Sequence, residues 1–126
     1  MNIQYYSEHN LFSKQELIDL WTSVGWTTGS LDHPERLVEA LKHGKVFCAY
    51  DHQKLIGLIE GFDDSYTVYI NYVLVHPSYQ KMGIGTHLME MCEKYYEGYR
   101  KVLTTDEAKA FYERFGYKHT SYGMHK

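Results

Sequence analysis

The sequence has little of what marks secreted, membrane or metal-binding proteins. Its 126 residues include only two cysteines, Cys48 and Cys92, which are far apart and form no CxxC or Cys/His pattern, so a reduced cytoplasmic protein is expected. No apolar run approaches the roughly 18 residues that span a bilayer, and the N-terminus does not resemble a signal peptide. The eight histidines show no HxxH or HExxH spacing. We therefore predict no membrane association and no bound metal.

An excess of positive charge is also absent. The chain has 13 Lys and Arg against 16 Asp and Glu, a net charge of -3, so it has no general basic field for gripping nucleic acid. Apolar residues make up 44% and charged residues 23%, which are ordinary globular values and exclude a disordered or low-complexity scaffold. Since no segment is biased enough to be a linker, residues 1–126 are predicted to form a single domain.

The hydrophobic pattern predicts ten elements in the order β-α-α-β-β-β-α-β-α-β. Helix starts are marked by a capping box from Ser13 to Glu16 and by Pro34 near the first position of the second helix. Thr67 to Val75 is the most strand-favouring run and is nearly all apolar, which predicts a central strand covered on both faces. Further strands are predicted at 3–6, 46–50, 55–59, 101–105 and 117–122, and a short helix at 107–115. The strand-rich first half and alternating second half indicate a mixed sheet with helices on both faces.

One segment of the sequence indicates a ligand-binding site. Pro77 ends the central strand, and the sequence Q-K-M-G-I-G at residues 80–85 then leads into an amphipathic helix. Such a loop presents successive backbone N–H groups beside the positive end of the helix dipole, which suits phosphate oxygens. Gly83 and Gly85 let the backbone approach a ligand closely, and Lys81 adds a positive charge. The loop therefore predicts a ligand that carries phosphate.

The glycine spacing excludes two common phosphate loops. A Walker loop requires Gly-x4-Gly-Lys-Ser/Thr, which the chain lacks, and a dinucleotide fingerprint requires a glycine where this chain has Leu88. The remaining match, Gln-x-x-Gly-x-Gly preceded by Val-x-Pro, resembles the acyl-CoA pyrophosphate loop of the GNAT superfamily, the Gcn5-related N-acetyltransferases. Residues 108–117, A-K-A-F-Y-E-R-F-G-Y, are similar to the family's other signature, A-x-x-F-Y-x-x-x-G-F. Two signatures in this order are specific, and the element order agrees along essentially the whole chain.

The resemblance implies the GNAT fold, an α+β domain of α/β/α layers around a mixed, mostly antiparallel sheet. It also implies acetyl-CoA as the cosubstrate, with no metal. Backbone groups of Val73 and Val75 would pair with the pantetheine arm, and a backbone N–H near Val75 would stabilise the oxyanion. Tyr112 matches the tyrosine that many members direct at the thioester sulfur as a general acid. The implied cofactor-binding residues are Val73, Leu74, Val75, Gln80, Lys81, Met82, Gly83, Ile84, Gly85, Thr86, Phe111 and Tyr112.

The sequence leaves the general base open. An alkylammonium with a pKa of roughly 10 must lose a proton before it can attack. Glu60, at the end of the third strand, is the first candidate for this catalytic role, directly or through water, and His76 and the pair Asp63/Asp64 are weaker ones. Relatives often carry an acidic residue where this chain has Tyr72, so no base is transferred from the family. The predicted substrate-binding residues are Trp26 and Tyr72.

The predicted function is therefore N-acetyl transfer. The acetyl group of acetyl-CoA would move to a primary amine of a small molecule or peptide by direct attack in a ternary complex. A non-catalytic acyl-CoA-binding module for sensing or assembly is the alternative. An enzyme that acts on RNA-borne amines is disfavoured by the acidic balance. Relatives often pair through late strands, so a homodimer is a further hypothesis.

Overall fold

The fold is a five-stranded sheet with helices on both faces. The computed structural model describes residues 1–8, 11–27, 29, 31–105, 108–120, 124 and 126. The elements are β1 (Ile3–Tyr6), α1 (Lys14–Ser23), α2 (Pro34–His43), β2 (Lys45–Asp51), β3 (Lys54–Asp63), β4 (Thr67–Val75), a 3-10 turn (Pro77–Tyr79), α3 (Ile84–Tyr95), β5 (Arg100–Leu103) and α4 (Lys109–Glu113). No helix in these residues is long and apolar enough to cross a membrane.

The strands lie in the order β1-β2-β3-β4-β5. The first four strands pair antiparallel with their neighbours. β5 pairs parallel with β4, because α3 carries the chain back across the sheet before β5 begins. The prediction of a mixed, mostly antiparallel sheet is confirmed.

Each face of the sheet has its own hydrophobic core. On one face, α1 and α2 pack against the sheet, and the buried cluster includes Trp21, Leu41 and Leu74. On the other face, the buried cluster includes Leu88 of α3 and Tyr112 of α4. Because side chains alternate along a strand, neighbouring residues of β4 contribute to opposite cores. The predicted placement of helices on both faces is confirmed.

Local sequence signals explain where the helices begin. The Ser13 hydroxyl accepts a hydrogen bond from the Glu16 N–H at 3.0 Å, and the Ser13 N–H donates to the Glu16 carboxylate at 3.0 Å. This is the predicted capping box. Pro34 occupies the first position of α2, where its missing N–H costs nothing. Gly83 precedes α3 with φ of 81°, a left-handed conformation that glycine adopts without strain.

The C-terminal segment differs from the prediction. The expected strand at 117–122 is wrong for residues 117–120, which form no strand, while residues 121 and 122 lie outside the described residues. Tyr117 packs against the core on the α3 face, but Lys118, His119 and Thr120 are all exposed, so residues 118–120 have no apolar face to bury against the sheet. Only the start of the segment is anchored, since the Tyr117 hydroxyl donates to the Glu93 carboxylate at 2.7 Å. Residue 107, the predicted start of the short helix, is also outside the described residues.

Candidate active site

The functional region is built on an open edge of β4. Pairing of β4 with β5 ends at Ile70 and Leu103 in the described residues, but β4 continues to Val75. The His76 N–H donates to the Ile56 carbonyl at 2.8 Å. Since backbone groups alternate in direction along an antiparallel strand, those of Val73 and Val75 point away from β3. They therefore lie on the open edge, where an extended ligand could pair with them.

A β-bulge lies where β4 changes from paired to open. Glu60 pairs with Tyr72, but the next residue of β3, Gly61, pairs with Ile70. Asn71 is therefore the extra residue of the bulged strand. A bulge bends its strand and re-aims side chains next to it. In this fold, it also puts the side chains of Asn71 and Tyr72 close to the same neighbour, Glu60.

A groove of about 600 Å³ follows the open edge. Its lining comes from β4, the 3-10 turn, the following loop, the start of α3, and the α4 segment. The lining residues are Val73, Val75, Tyr79, Gln80, Lys81, Gly83, Ile84, Gly85, Thr86, Ala108, Phe111, Tyr112 and Arg114. The structure thus brings together ten of the twelve predicted cofactor-binding residues. The two sequence signatures form opposite walls of one groove.

The glycine loop, residues 80–86, forms one end of the groove. Lys81 and Gly83 both have positive φ, 65° and 81°. The His87 N–H donates to the Gly83 carbonyl at 2.9 Å, and the N–H groups of residues 84–86 precede this bond in the first turn of α3. First-turn N–H groups have no partner within their own helix. Together with the helix dipole they suit a negatively charged phosphate.

The floor of the groove depends on the absence of a side chain at Gly85. A Cβ built on Gly85 would lie 3.5 Å from the Phe111 ring and 3.5 Å from a Val75 methyl group. These are ordinary contact distances, so a methyl group would fit but would occupy space in the groove. Beside it, the Gln80 side-chain amide donates to the Val75 carbonyl at 3.0 Å. This bond ties the glycine loop to the end of β4.

The wall opposite the loop carries the second signature. Tyr112 is 7% exposed, and burial raises its pKa to about 12, so the hydroxyl stays protonated at neutral pH. Phe111 stacks edge-on with Tyr112 at a ring separation of 5.1 Å. The Arg114 guanidinium lies 5.1 Å from the Phe111 ring centre. Arg114 was missed from the sequence, although its spacing of three from Phe111 on a helical segment places both on one side.

Tyr79 is a second residue that sequence reasoning missed. It lines the groove, and its hydroxyl donates to the Asp51 carboxylate at 2.6 Å. The Lys54 ammonium lies 5.7 Å from the Tyr79 ring centre. These contacts fix the 3-10 turn to the β2–β3 hairpin. No local pattern identifies them, because Asp51 and Tyr79 are 28 positions apart.

Glu60 lies on the face of the sheet opposite the groove, beside the bulge. It is 2% exposed, and Asn71 donates its side-chain amide to the carboxylate at 3.2 Å. Burial raises the pKa of Glu60, and the hydrogen bond from Asn71 opposes this rise more weakly. Burial and the charge on Glu60 also raise the pKa of Tyr72. Glu60 therefore holds its proton more tightly than an exposed carboxylate.

The two predicted substrate-binding residues lie on this same face. The Trp21 ring lies edge-on to Tyr72 at 5.3 Å and to Trp26 at 6.3 Å between ring centres. Trp21 is fully buried, whereas Trp26 is exposed. The aromatic row thus leads from the buried core of this face to the surface. Residues 28 and 30 of the loop after Trp26 lie outside the described residues.

Five other predicted residues lie away from the groove. Leu74 is buried in the core beneath α1 and α2 because of strand alternation, and Met82 is exposed outside the groove lining. The weaker base candidates have local structural roles. His76 accepts a hydrogen bond from the Ser78 N–H at 3.1 Å, and the Asp63 and Asp64 carboxylates accept bonds from N–H groups in the β3–β4 turn. Those turn bonds lower the pKa of Asp64.

The fold and groove define a domain whose open cleft could take an extended ligand with a phosphate group at one end. A family model described as an acetyltransferase (GNAT) domain matches residues 42–119. The match covers both sequence signatures and more than half of the chain. The chain belongs to the GNAT acetyltransferase family. GNAT acetyltransferases use acetyl-CoA, which is an extended ligand of this kind.

Solved structures agree with this assignment. A GNAT family acetyltransferase from Streptococcus pneumoniae is 28% identical, with a TM-score of 0.77 over 93% of this chain and 88% of that one. A probable acetyltransferase from Staphylococcus aureus is 23% identical, with a TM-score of 0.86 over 99% and 98% of the two chains. The PaiA N-acetyltransferase of Thermoplasma acidophilum, in complex with coenzyme A, is 19% identical, with a TM-score of 0.76 over 94% and 91%. The search of curated proteins gives no match.

Proposed function

We propose that this protein transfers the acetyl group of acetyl-CoA to a primary amine of a small molecule or peptide. The observation that carries the proposal is the arrangement of one groove: a phosphate-suited loop at one end, an open strand edge along its length, and Tyr112 in the opposite wall. These features match the diphosphate, the amide-rich arm and the thioester of acetyl-CoA in turn. The family membership supports the same ligand.

Binding would use mainly backbone groups of the chain. The N–H groups of the glycine loop would bind the diphosphate, with Lys81 and Arg114 as the cations lining this groove. Val73 and Val75 would pair with the pantetheine arm as an added strand would. The side chains of Val75, Ile84 and Phe111 supply the apolar lining.

The thioester would lie between β4 and α4. A backbone N–H near Val75 would donate a hydrogen bond to the carbonyl oxygen as negative charge develops there. The Tyr112 hydroxyl would donate to the sulfur as the C–S bond breaks. Because a thiol has a pKa of roughly 8.5, the thiolate is an adequate leaving group, and Tyr112 assists without being indispensable.

The amine would approach from the face that carries Glu60, Tyr72 and Trp26. Tyr72 and Val73 are neighbours on β4, so this face and the groove meet at the open edge of the strand. Glu60 would take the proton of the ammonium, directly or through water, and release it to solvent. The free amine then attacks the carbonyl carbon and a C–N bond forms. As the C–S bond breaks, its electron pair goes to sulfur, which takes the proton of the Tyr112 hydroxyl, and the second proton of the amine nitrogen passes through solvent to restore that hydroxyl. The products are the acetylated amine and coenzyme A.

The experiment is an assay of coenzyme A release with a panel of primary amines, including small polyamines, aromatic amines and lysine peptides. Formation of an acetylated product, identified by mass spectrometry, is the expected result. Wild-type protein that binds acetyl-CoA and acetylates no amine would contradict the proposal and favour a non-catalytic acyl-CoA-binding module. Protein that fails to bind acetyl-CoA would contradict both.

A further inference from the structure

We propose that Asn71 is a positioning residue that, together with Gly44, holds the carboxylate of Glu60 in place. This inference rests on the proposed function, in which Glu60 is the base. Asn71 has no role in the two family signatures. Its assignment comes from its place as the extra residue of the bulge and from its direct hydrogen bond to the Glu60 carboxylate.

The bulge explains how Asn71 reaches Glu60. In a regular strand, neighbouring side chains point to opposite faces, so Asn71 and Tyr72 could not both lie beside Glu60. The extra residue breaks this alternation. The Asn71 amide then reaches the first carboxylate oxygen, Oε1, at 3.2 Å. Asn71 itself is exposed, so it connects a buried carboxylate with the surface that the amine would approach.

Gly44 confines the second carboxylate oxygen. A Cβ built on Gly44 would lie 2.6 Å from Glu60 Oε2 and 2.7 Å from Glu60 Cγ, closer than any real contact. Glu60 is thus packed directly against the backbone at the end of α2. The space exists because residue 44 has no side chain. One carboxylate oxygen is held by a hydrogen bond and the other by packing.

Among the groups that face Glu60, Asn71 is the side chain that donates a hydrogen bond to the carboxylate. Tyr72 on β4 is the titratable neighbour; a tyrosine hydroxyl is neutral at physiological pH, and burial raises the pKa of Tyr72 further. Val46 is the register partner on β2, and Gly44 is the neighbour from α2; neither ionises. Among the described residues, no lysine, arginine or histidine contributes to the shift of the Glu60 pKa. Asn71 is therefore the group that favours the charged form.

The expected consequence is a change in pH dependence. Replacing Asn71 by Ala removes a hydrogen bond to the ionised carboxylate, so a higher pH is needed to deprotonate Glu60. Hydrogen bonds to charged groups correspond to about a tenfold change or more. Asn71→Ala should therefore lose about tenfold in kcat/KM for the amine at pH 6 and recover most of it at pH 9. The KM for acetyl-CoA should stay unchanged.

Two further variants sharpen this test. Asn71→Gln retains an amide donor at the same exposed position and should lose less activity at pH 6 than Asn71→Ala. Gly44→Ala pushes the Glu60 side chain away without removing any polar group, and it should also move the acid limb of the pH–rate profile upward. An equal loss at every pH in Asn71→Ala, or a wild-type profile in Gly44→Ala with an unchanged melting temperature, would overturn the proposal.

A readout that needs no activity separates this inference from the proposed function. The Glu60 carboxyl carbon can be followed by NMR in protein labelled with 13C-glutamate and identified by its loss in Glu60→Gln. Its titration midpoint should lie higher in Asn71→Ala than in wild type. An unchanged midpoint would refute the role of Asn71 even in an active enzyme. If the midpoint is raised in Asn71→Ala but the wild-type protein acetylates no amine, the pairing of Asn71 with Glu60 stands and the proposed acetyl transfer is wrong.

Discussion

Substituting Gly85 by Ala should separate cofactor binding from stability. The new methyl group would lie 3.5 Å from both Phe111 and Val75, so the protein accommodates it without a shift. The methyl group would, however, occupy the space in which the backbone of the glycine loop must approach the ligand. Alanine in place of glycine within a helix favours folding by up to about 1 kcal/mol. The variant should therefore be at least as stable as the wild type.

The expected loss of binding is that of one hydrogen bond between the backbone of the glycine loop and a phosphate of the ligand, which the methyl group would prevent. A hydrogen bond to a charged group contributes about 1.5–3 kcal/mol, and each 1.4 kcal/mol corresponds to about tenfold in Kd. Gly85→Ala should thus weaken acetyl-CoA binding by roughly 10- to 150-fold. Isothermal titration calorimetry gives the Kd, and thermal unfolding without ligand gives the stability.

The control is Glu90→Ala, an exposed position on the same helix that does not line the groove. It should bind acetyl-CoA as the wild type does. A wild-type Kd in Gly85→Ala would show that the ligand does not approach the backbone there. Weakened binding accompanied by a lower melting temperature would show that the substitution damages the fold instead.

Three further predictions concern side chains of the site. Tyr112→Phe should lower kcat by about 10²–10⁴-fold while changing the Kd for acetyl-CoA little, and equal kcat values would remove Tyr112 from the acid role. Arg114→Ala should weaken coenzyme A binding by about tenfold at low salt and less at high salt. Glu113→Ala is the control, and a loss of the salt dependence of coenzyme A binding in that variant but not in Arg114→Ala would contradict the assignment. Glu60→Gln should raise the melting temperature at pH 7.5, because burial raises the pKa of Glu60 and so penalises the folded state above that pKa. The difference should close as the pH falls toward the unfolded value of roughly 4.3, and a lower melting temperature at pH 7.5 would refute this.

The sequence was most informative where local rules decide the structure. The capping box at Ser13 and the proline at position 34 mark helix starts through backbone hydrogen bonding, which needs no tertiary information. The apolar run from Thr67 to Val75 predicts a strand from residue type alone, and the structure pairs this strand on both sides only as far as Ile70 in the described residues. Glycine spacing predicts the loop at residues 80–86, because a close approach to a ligand and a left-handed φ each favour glycine, although Lys81 also adopts a left-handed φ in this loop.

The features that could not be predicted from the sequence depend on contacts between distant segments. The bulge at Asn71 exists only in the pairing of β3 with β4, and Asn71 has no sequence feature that marks it as the extra residue. The bond between Tyr79 and Asp51 joins positions 28 residues apart. Residue type predicts a strand at 117–122, but residues 118–120 present no apolar face to the sheet. Such features require the three-dimensional arrangement.

Binding of acetyl-CoA in the groove is tested most directly by its effect on the backbone amide signals of 15N-labelled protein. We predict that the largest shifts fall on the loop at residues 80–86 and on Val73 and Val75 at the open edge of β4. We also predict that Gly85→Ala reduces these shifts at the same ligand concentration. Saturable binding with its largest shifts elsewhere, or no shift in the loop, would contradict binding in this groove.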